Sequence, residues 1–287
     1  MDGGVESKKK QKRPWTAGRV IRLGLILVFL GVFIYSATNL IRYYYEANKS
    51  QRGVDELKSM MAESTPRPSP TPRPTAAVDP DATPEVTPEP VYEVLSRFST
   101  LFDANSDLVG WIKIDGTNID YPVMKKDTEK DGEFYLRNNF RGEYDINGLP
   151  FMDYRCEIGP NSEHLIVYGH NMKSQIMFHY LTSYEEEEFF KEHQYILFDT
   201  IYEEGTYQVI AAFVFDVAGS NKDGFQFHRY VNFKDEEQFE EYIEGVYSSS
   251  LYDTGVKAEY GDEILTLATC EYTTWNSRFV VVCKKVS

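Results

Sequence analysis

Residues Ile264–Lys285 read ILTLATCEYTTWNSRFVVVCKK. Alternating, β-branched residues lead up to Cys270, polar and aromatic residues follow, and a second apolar run starts at Phe279 with Arg278 at its entrance. Two such runs joined by a short polar connection predict an antiparallel pair of strands. Folding back would bring Arg278 beside Cys270 and, if the register holds, set Cys283 opposite about Leu265. A neighbouring guanidinium favours the thiolate, which is the nucleophilic form of cysteine, and donates hydrogen bonds to an oxyanion. The competing reading is a buried structural cysteine with an ordinary surface arginine beside it.

Working outward, further short strands are predicted at 111–114, 119–123, 149–152, 164–168, 195–198 and 206–215, with the pair itself at 263–268 and 279–283. They are separated by turn-rich stretches such as DGTN, GEYDING and EIGPNS. Eight strands in this arrangement suggest a barrel or sandwich. Helices interrupt them: a leading amphipathic helix after Val91, one near 182–192, and one near 234–247 with Phe239, Tyr242, Ile243 and Val246 as its apolar stripe. The fold class is mainly β with inserted helices. The acidic runs Glu185–Glu188 and Asp235–Glu237 read as solvated helix faces, because consecutive carboxylates point in different directions.

Composition divides the chain of 287 residues into unlike parts. Residues 1–22 carry seven basic and two acidic side chains, a net +5, while the chain as a whole carries −15 and the part from Val91 onward about −18. Such acidity argues against a nucleic-acid partner. Residues 23–41 hold no charge, and a helix of that length spans roughly 28 Å of hydrocarbon at about 1.5 Å per residue. The expectation is a single-pass anchor with its basic N-terminus in the cytoplasm and the C-terminal body outside. The alternative, a cleaved signal peptide, fits less well because the apolar run is long and no clear A-x-A site follows. Residues 42–90 would form a stalk whose second part, 64–90, holds nine of the thirteen prolines and reads as a linker. Residues 91–287 would be the working domain.

A cysteine nucleophile needs a base, and five histidines compete: His164, His170, His179, His193 and His228. His170 follows the apolar run LIVY and a glycine, at a strand-to-loop junction where a scaffold presents catalytic groups. No histidine follows Cys270, which excludes the papain-like order of cysteine first and histidine downstream. The sequence gives no cofactor and no metal site: its cysteines are scattered, and neither H-E-x-x-H nor C-x-x-C occurs. Of the other cysteines, Cys156 lies beside a turn and reads as exposed, and no disulfide is expected.

The stretch TLATC at Thr266–Cys270, Arg278 after a short loop, YGHNM at Tyr168–Met172 and NGLPFMDYR at Asn147–Arg155 together resemble the signature of the sortases, class B above all. These are membrane-anchored cysteine transpeptidases of Gram-positive bacteria. The resemblance covers most of the body and implies an eight-stranded sortase β-barrel. It implies Cys270 as nucleophile, His170 as general acid and base, and Arg278 as the group that holds substrate and stabilises the oxyanion. Thr269, Glu271 (through its amide), Tyr272 and Asn138 or Asn139 are implied at the substrate groove. Ala268 departs from the serine found in many class B relatives. The implied reaction cleaves a C-terminal sorting signal after threonine and passes the acyl group to an amine of the peptidoglycan precursor or of a pilin. A hydrolytic cysteine peptidase and a non-catalytic binding module on the same barrel are the alternatives.

Overall fold

A computed structural model describes residues 17–63, 92–159, 162–216, 225–271 and 277–287, with Cys270 and Glu271 described by their backbone. Two compact units divide at Tyr45 and Glu46. Helix α1, Ala17–Glu63, begins in the first unit and ends in the second. Its N-terminal part exposes large apolar side chains at most positions from Val20 to Tyr35 and again at Leu40 and Ile41. Among the described residues it is the one helix long and apolar enough to cross a membrane.

In the second unit the eight expected strands are all present: β1 Leu108–Lys113, β2 Asp120–Met124, β3 Phe151–Met152, β4 His164–Gly169, β5 Tyr195–Thr200, β6 Thr206–Asp216, β7 Ile264–Glu271 and β8 Ser277–Lys285. They close into a barrel in the order β1-β2-β3-β4-β7-β8-β6-β5. Closure pairs every strand on both sides and so leaves no free sheet edge. Strands β7 and β8 pair antiparallel in the register read from the sequence, with Leu265 opposite Cys283 and Cys270 opposite Arg278. Strand β4 runs parallel to β7 from His164↔Ile264 to Gly169↔Thr269. A parallel pair needs a long crossover, and here the whole stretch from 170 to 263 supplies it.

The leading helix is shorter than its apolar spacing suggests: a 3-10 turn at Ser96–Phe98 runs into helix α2, Ser99–Ala104, with Phe98 and Leu101 fully buried. The insertion before β5 is a 3-10 turn at His179–Glu185 followed by helix α3, Glu187–Glu192. Helix α4, Glu236–Ser249, starts at Asp235, whose carboxylate accepts from the Gln238 amide at 2.9 Å, and buries the predicted stripe of Phe239, Tyr242, Ile243 and Val246. The 179–185 turn packs on β6, β7 and β8 and α4 packs on β6. That cover explains why Ile264 to Thr269 are all buried rather than alternating. Glu185–Glu188 and Asp235–Glu237 are exposed.

Two expectations change. Residues 42–63, read as stalk, are helical throughout, and Ala47, Ser50, Val54 and Leu57 are buried against the barrel. Cys156 is buried instead of exposed: its Sγ accepts from the Ile166 amide at 3.3 Å, which draws the turn onto β4.

Candidate active site

Parallel pairing of β4 and β7 decides where the chemistry-bearing residues lie. Gly169 and Thr269 are the last partners of that ladder, so His170 and Cys270 are the next residues along two neighbouring strands, leaving the same end of the barrel. Across β7, Arg278 is the register partner of Cys270. Neighbouring strands lie about 4.8 Å apart. The structure therefore brings the backbones of all three residues to one place on three adjacent strands, although 100 positions separate His170 from Cys270.

Local packing accounts for the position of His170. A Cβ on Gly169 would lie 2.7 Å from the ring of Phe178, so only glycine lets that ring press on the strand end. Thr269, buried, donates from Oγ1 to the Gly169 carbonyl at 2.8 Å and ties β7 to β4 immediately below the site. The His170 carbonyl accepts from the Phe178 amide at 2.9 Å. The half-buried imidazole places Nε2 2.9 Å from the Leu136 carbonyl. A carbonyl only accepts, so Nε2 carries the proton and Nδ1 is left for exchange. Burial holds the His170 pKa below its ordinary value; the Leu136 carbonyl opposes this, and the Arg137 charge adds to it. The partner that orients this histidine is thus a backbone carbonyl.

His170, Thr269 and Arg278 line one cleft of about 740 Å³, together with Leu136, Tyr168 and Ala268. Its lining also includes the aromatic side chains of Tyr154, Phe215 and Phe227. Asp153, also at the cleft, is held by Arg155 through Nε at 2.8 Å and Nη2 at 2.7 Å, and by the Tyr168 hydroxyl at 3.2 Å. Burial would raise its pKa, but the Arg155 bonds outweigh that and leave it below the usual carboxylate range. Arg155 in turn donates to the His228 carbonyl at 2.9 Å. This ion pair stiffens the wall, and among the described residues no carboxylate is hydrogen-bonded to His170. Among the described residues no group of three or more potential ligands could hold a metal.

Of the other histidines, His228 also lines this cleft, its ring against Phe215 and Phe227, and three serve elsewhere. His164 is buried between Phe233 and Tyr242, His179 has Nδ1 2.7 Å from Asn171 Oδ1, and His193 stacks on Phe189. Cys156 and Cys283 are free and buried, and burial pushes both thiols up, Cys156 to about 12. Glu271 is the partner of Ser277 at the strand end, and Tyr272 lies outside the described residues. Asn138 does not line the cleft: its amide donates to the Gly142 carbonyl at 3.0 Å and closes a small hairpin with Tyr144. Asn139 lines a separate groove beneath α1. Sequence reasoning missed Leu136, because the group that acts is a carbonyl, which every residue type carries.

The model of the sortase domain matches residues 112–286. The chain belongs to the sortase family. Sortase B of Listeria monocytogenes is 31% identical over 249 residues, which cover 86% of this chain and 88% of that protein. Sortase B of Staphylococcus aureus is 32% identical over 193 residues, 67% of this chain and 75% of that one. Among solved structures, sortase B from B. anthracis aligns with a TM-score of 0.67 and 26% identity, over 85% of this chain and 99% of that one. The Staphylococcus aureus sortase B–substrate complex aligns with a TM-score of 0.60 and 31% identity, over 68% and 86%. These relatives place the chain in class B, and it is a sortase-type cysteine transpeptidase on the eight-stranded sortase barrel.

Proposed function

We propose that this sortase cleaves a C-terminal sorting signal after threonine and transfers the liberated acyl group to an amine of the cell wall or of a pilin. The observation that carries the reading is the convergence of the Cys270, His170 and Arg278 backbones at one barrel end. The Cys270 thiolate attacks the threonine carbonyl carbon, and Arg278 with the Glu271 amide stabilises the oxyanion. As the C–N bond breaks, His170, an imidazolium because its Nδ1 took the thiol proton when the thiolate formed, gives that proton from Nδ1 to the departing amine, and a thioester remains. The acceptor amine then attacks the thioester, His170 takes its proton, and the thiolate leaves.

A further part of the proposal concerns location. Positive charge before the apolar part of α1 supports a cytoplasmic N-terminus and a barrel on the outer face. There the enzyme meets surface proteins that carry sorting signals. Trypsin treatment of intact cells should remove the barrel; protection of the barrel would reverse the orientation.

The test of the chemistry is a sorting-peptide library offered to the enzyme with triglycine as acceptor. Ligated product identifies transfer, and free acid alone would identify a peptidase. Cys270→Ala should abolish both products, and Arg278→Ala should lower kcat by about 10²–10³-fold. Full turnover by Cys270→Ala would refute the mechanism.

A further inference from the structure

Helix α1 continues well past its apolar part, and its last stretch, Glu46–Glu63, belongs to the same compact unit as the barrel. Two neighbouring residues of that stretch, Ser50 and Gln51, each start a chain of hydrogen bonds and backbone packing contacts. Both chains end at His170, one at its imidazole and one at its carbonyl.

The first chain begins with the Ser50 hydroxyl, which donates to Asp145 Oδ2 at 2.5 Å and accepts from Asn147 Nδ2 at 2.8 Å. Asp145 Oδ1 also accepts from the Asn147 amide at 2.9 Å, and its own amide donates to the Arg137 carbonyl at 2.9 Å. These bonds set the turn that delivers Gly148, in the left-handed region at φ 56°, against the 135–136 backbone. A Cβ there would lie 2.4 Å from the Leu136 carbonyl oxygen and 2.5 Å from that of Tyr135. The adjoining Leu149 amide donates to the Tyr135 carbonyl at 2.9 Å. The turn that Ser50 braces therefore fixes the carbonyl to which His170 Nε2 is bonded.

The second chain runs on the other side of the histidine. The hydroxyl of buried Tyr121 donates to Gln51 Oε1 at 3.2 Å and accepts from the Met177 amide at 3.1 Å. Met177 has φ 56°, a conformation costly for a residue with a side chain, and needs such a partner to hold it. It bridges Asn171, and the next residue, Phe178, donates its amide to the His170 carbonyl at 2.9 Å. Ion pairs between Lys58 and Asp120 at 2.8 Å and between Arg141 and Glu56 at 2.8 Å keep the helix in register with both chains.

We infer that the Glu46–Glu63 stretch of α1 is a positioning element of the active site, with Ser50 and Gln51 fixing the tautomer and orientation of His170 from its two sides. The membrane-proximal helix then does more than space the barrel from the membrane. Its seating sets how well the histidine exchanges its proton. The inference rests on the reading of His170 as the proton-transfer group.

The experiment uses the full chain in detergent micelles, labelled with ¹⁵N-histidine, His170 being assigned by the loss of its signals in His170→Asn. In the wild type His170 should titrate as a single Nε2–H tautomer. In Ser50→Ala/Gln51→Ala it should move towards a mixture of tautomers, and kcat for the best library peptide with triglycine should fall roughly tenfold, with KM within about twofold. Gln51→Glu, which keeps the acceptor for Tyr121, should recover most of what Gln51→Ala loses. If the double variant does not fold, Gln51→Ala alone carries the same expectations, since Gln51 is part-exposed. Unchanged His170 signals and unchanged kcat, whether or not the melting temperature falls, would overturn the inference. Turnover retained by His170→Asn would instead refute the role of His170 itself, which is a separate outcome.

Discussion

His164 offers a quantitative test of how the barrel core is built. Its Nδ1 is hydrogen-bonded to the Tyr230 carbonyl, so Nε2 is the acceptor and takes a bond from the Thr266 hydroxyl at 2.8 Å, itself bonded to the Tyr242 hydroxyl at 2.8 Å. Burial lowers its pKa from an ordinary 6.5 to about 4, only partly offset by the Tyr230 carbonyl. The folded value lies below the unfolded one, so the unfolded chain takes the extra proton first as the pH falls. The stability contribution is complete above the unfolded value and is lost as the pH drops towards the folded one. Two binding curves with these midpoints make the loss about 2 kcal/mol between about pH 7 and about pH 5. The assay is guanidinium unfolding of residues 46–287 at both pH values, for the wild type and for His164→Gln. Gln keeps a donor for the Tyr230 carbonyl but does not titrate. The variant should start less stable, yet lose about 2 kcal/mol less than the wild type across the interval. His170, His179 and His228 titrate in both proteins and cancel in the difference. Equal losses would mean that His164 is already solvated or charged in the fold, and the reasoning would fail.

Other consequences can be read directly. Burial raises the Cys156 thiol to about 12 and that of Cys283 as well, so a disulfide reagent should titrate a single thiol, Cys270, in the native enzyme and all three after denaturation. Two fast native thiols would contradict the packing around one of them. Gly148→Ala places an L side chain in the left-handed region at a cost of about 1–2 kcal/mol before any clash with the two carbonyls. A calorimetric scan should show the melting temperature reduced by several degrees, and an unchanged value would mean that the turn relaxes freely. Thr269→Val leaves the Gly169 carbonyl without its partner and should destabilise by about 1–3 kcal/mol, whereas Thr269→Ser should recover most of that loss.

The elements that sequence reveals well here are those whose physics is local. The strand positions and the β7–β8 register follow from alternation and from the short connection between them, which is why Leu265 does lie opposite Cys283. The helix apolar enough to cross a membrane is legible because it carries nineteen consecutive uncharged residues. Less legible is the packing of residues 46–63. Ala47, Ser50, Val54 and Leu57 do recur at helical spacing, but small and polar residues make up half of that stripe, so it gives almost no apolar signal. Cys156 was misread for a related reason: a turn residue is ordinarily exposed, and the backbone amide of Ile166 that draws it inward leaves no trace in residue identity.

The catalytic end of the barrel shows where such reading stops. His170 and Arg278 are identifiable through the motifs around them, YGHNM and the short spacing from Cys270 to Arg278, since five histidines and thirteen arginines make residue type alone insufficient. Their orientation depends on groups with no such identity: the Leu136 and Gly169 carbonyls and the Phe178 amide. The parallel alignment of β4 with β7 is equally silent in the sequence, since hydrogen bonding between strands is indifferent to side chains except through burial. Yet that alignment alone determines that the residue after Gly169 and the residue after Thr269 emerge together. A change that slipped β4 by one residue against β7 would leave Cys270, His170 and Arg278 in the chain, turn each β4 side chain to the opposite face, and separate the base from its nucleophile.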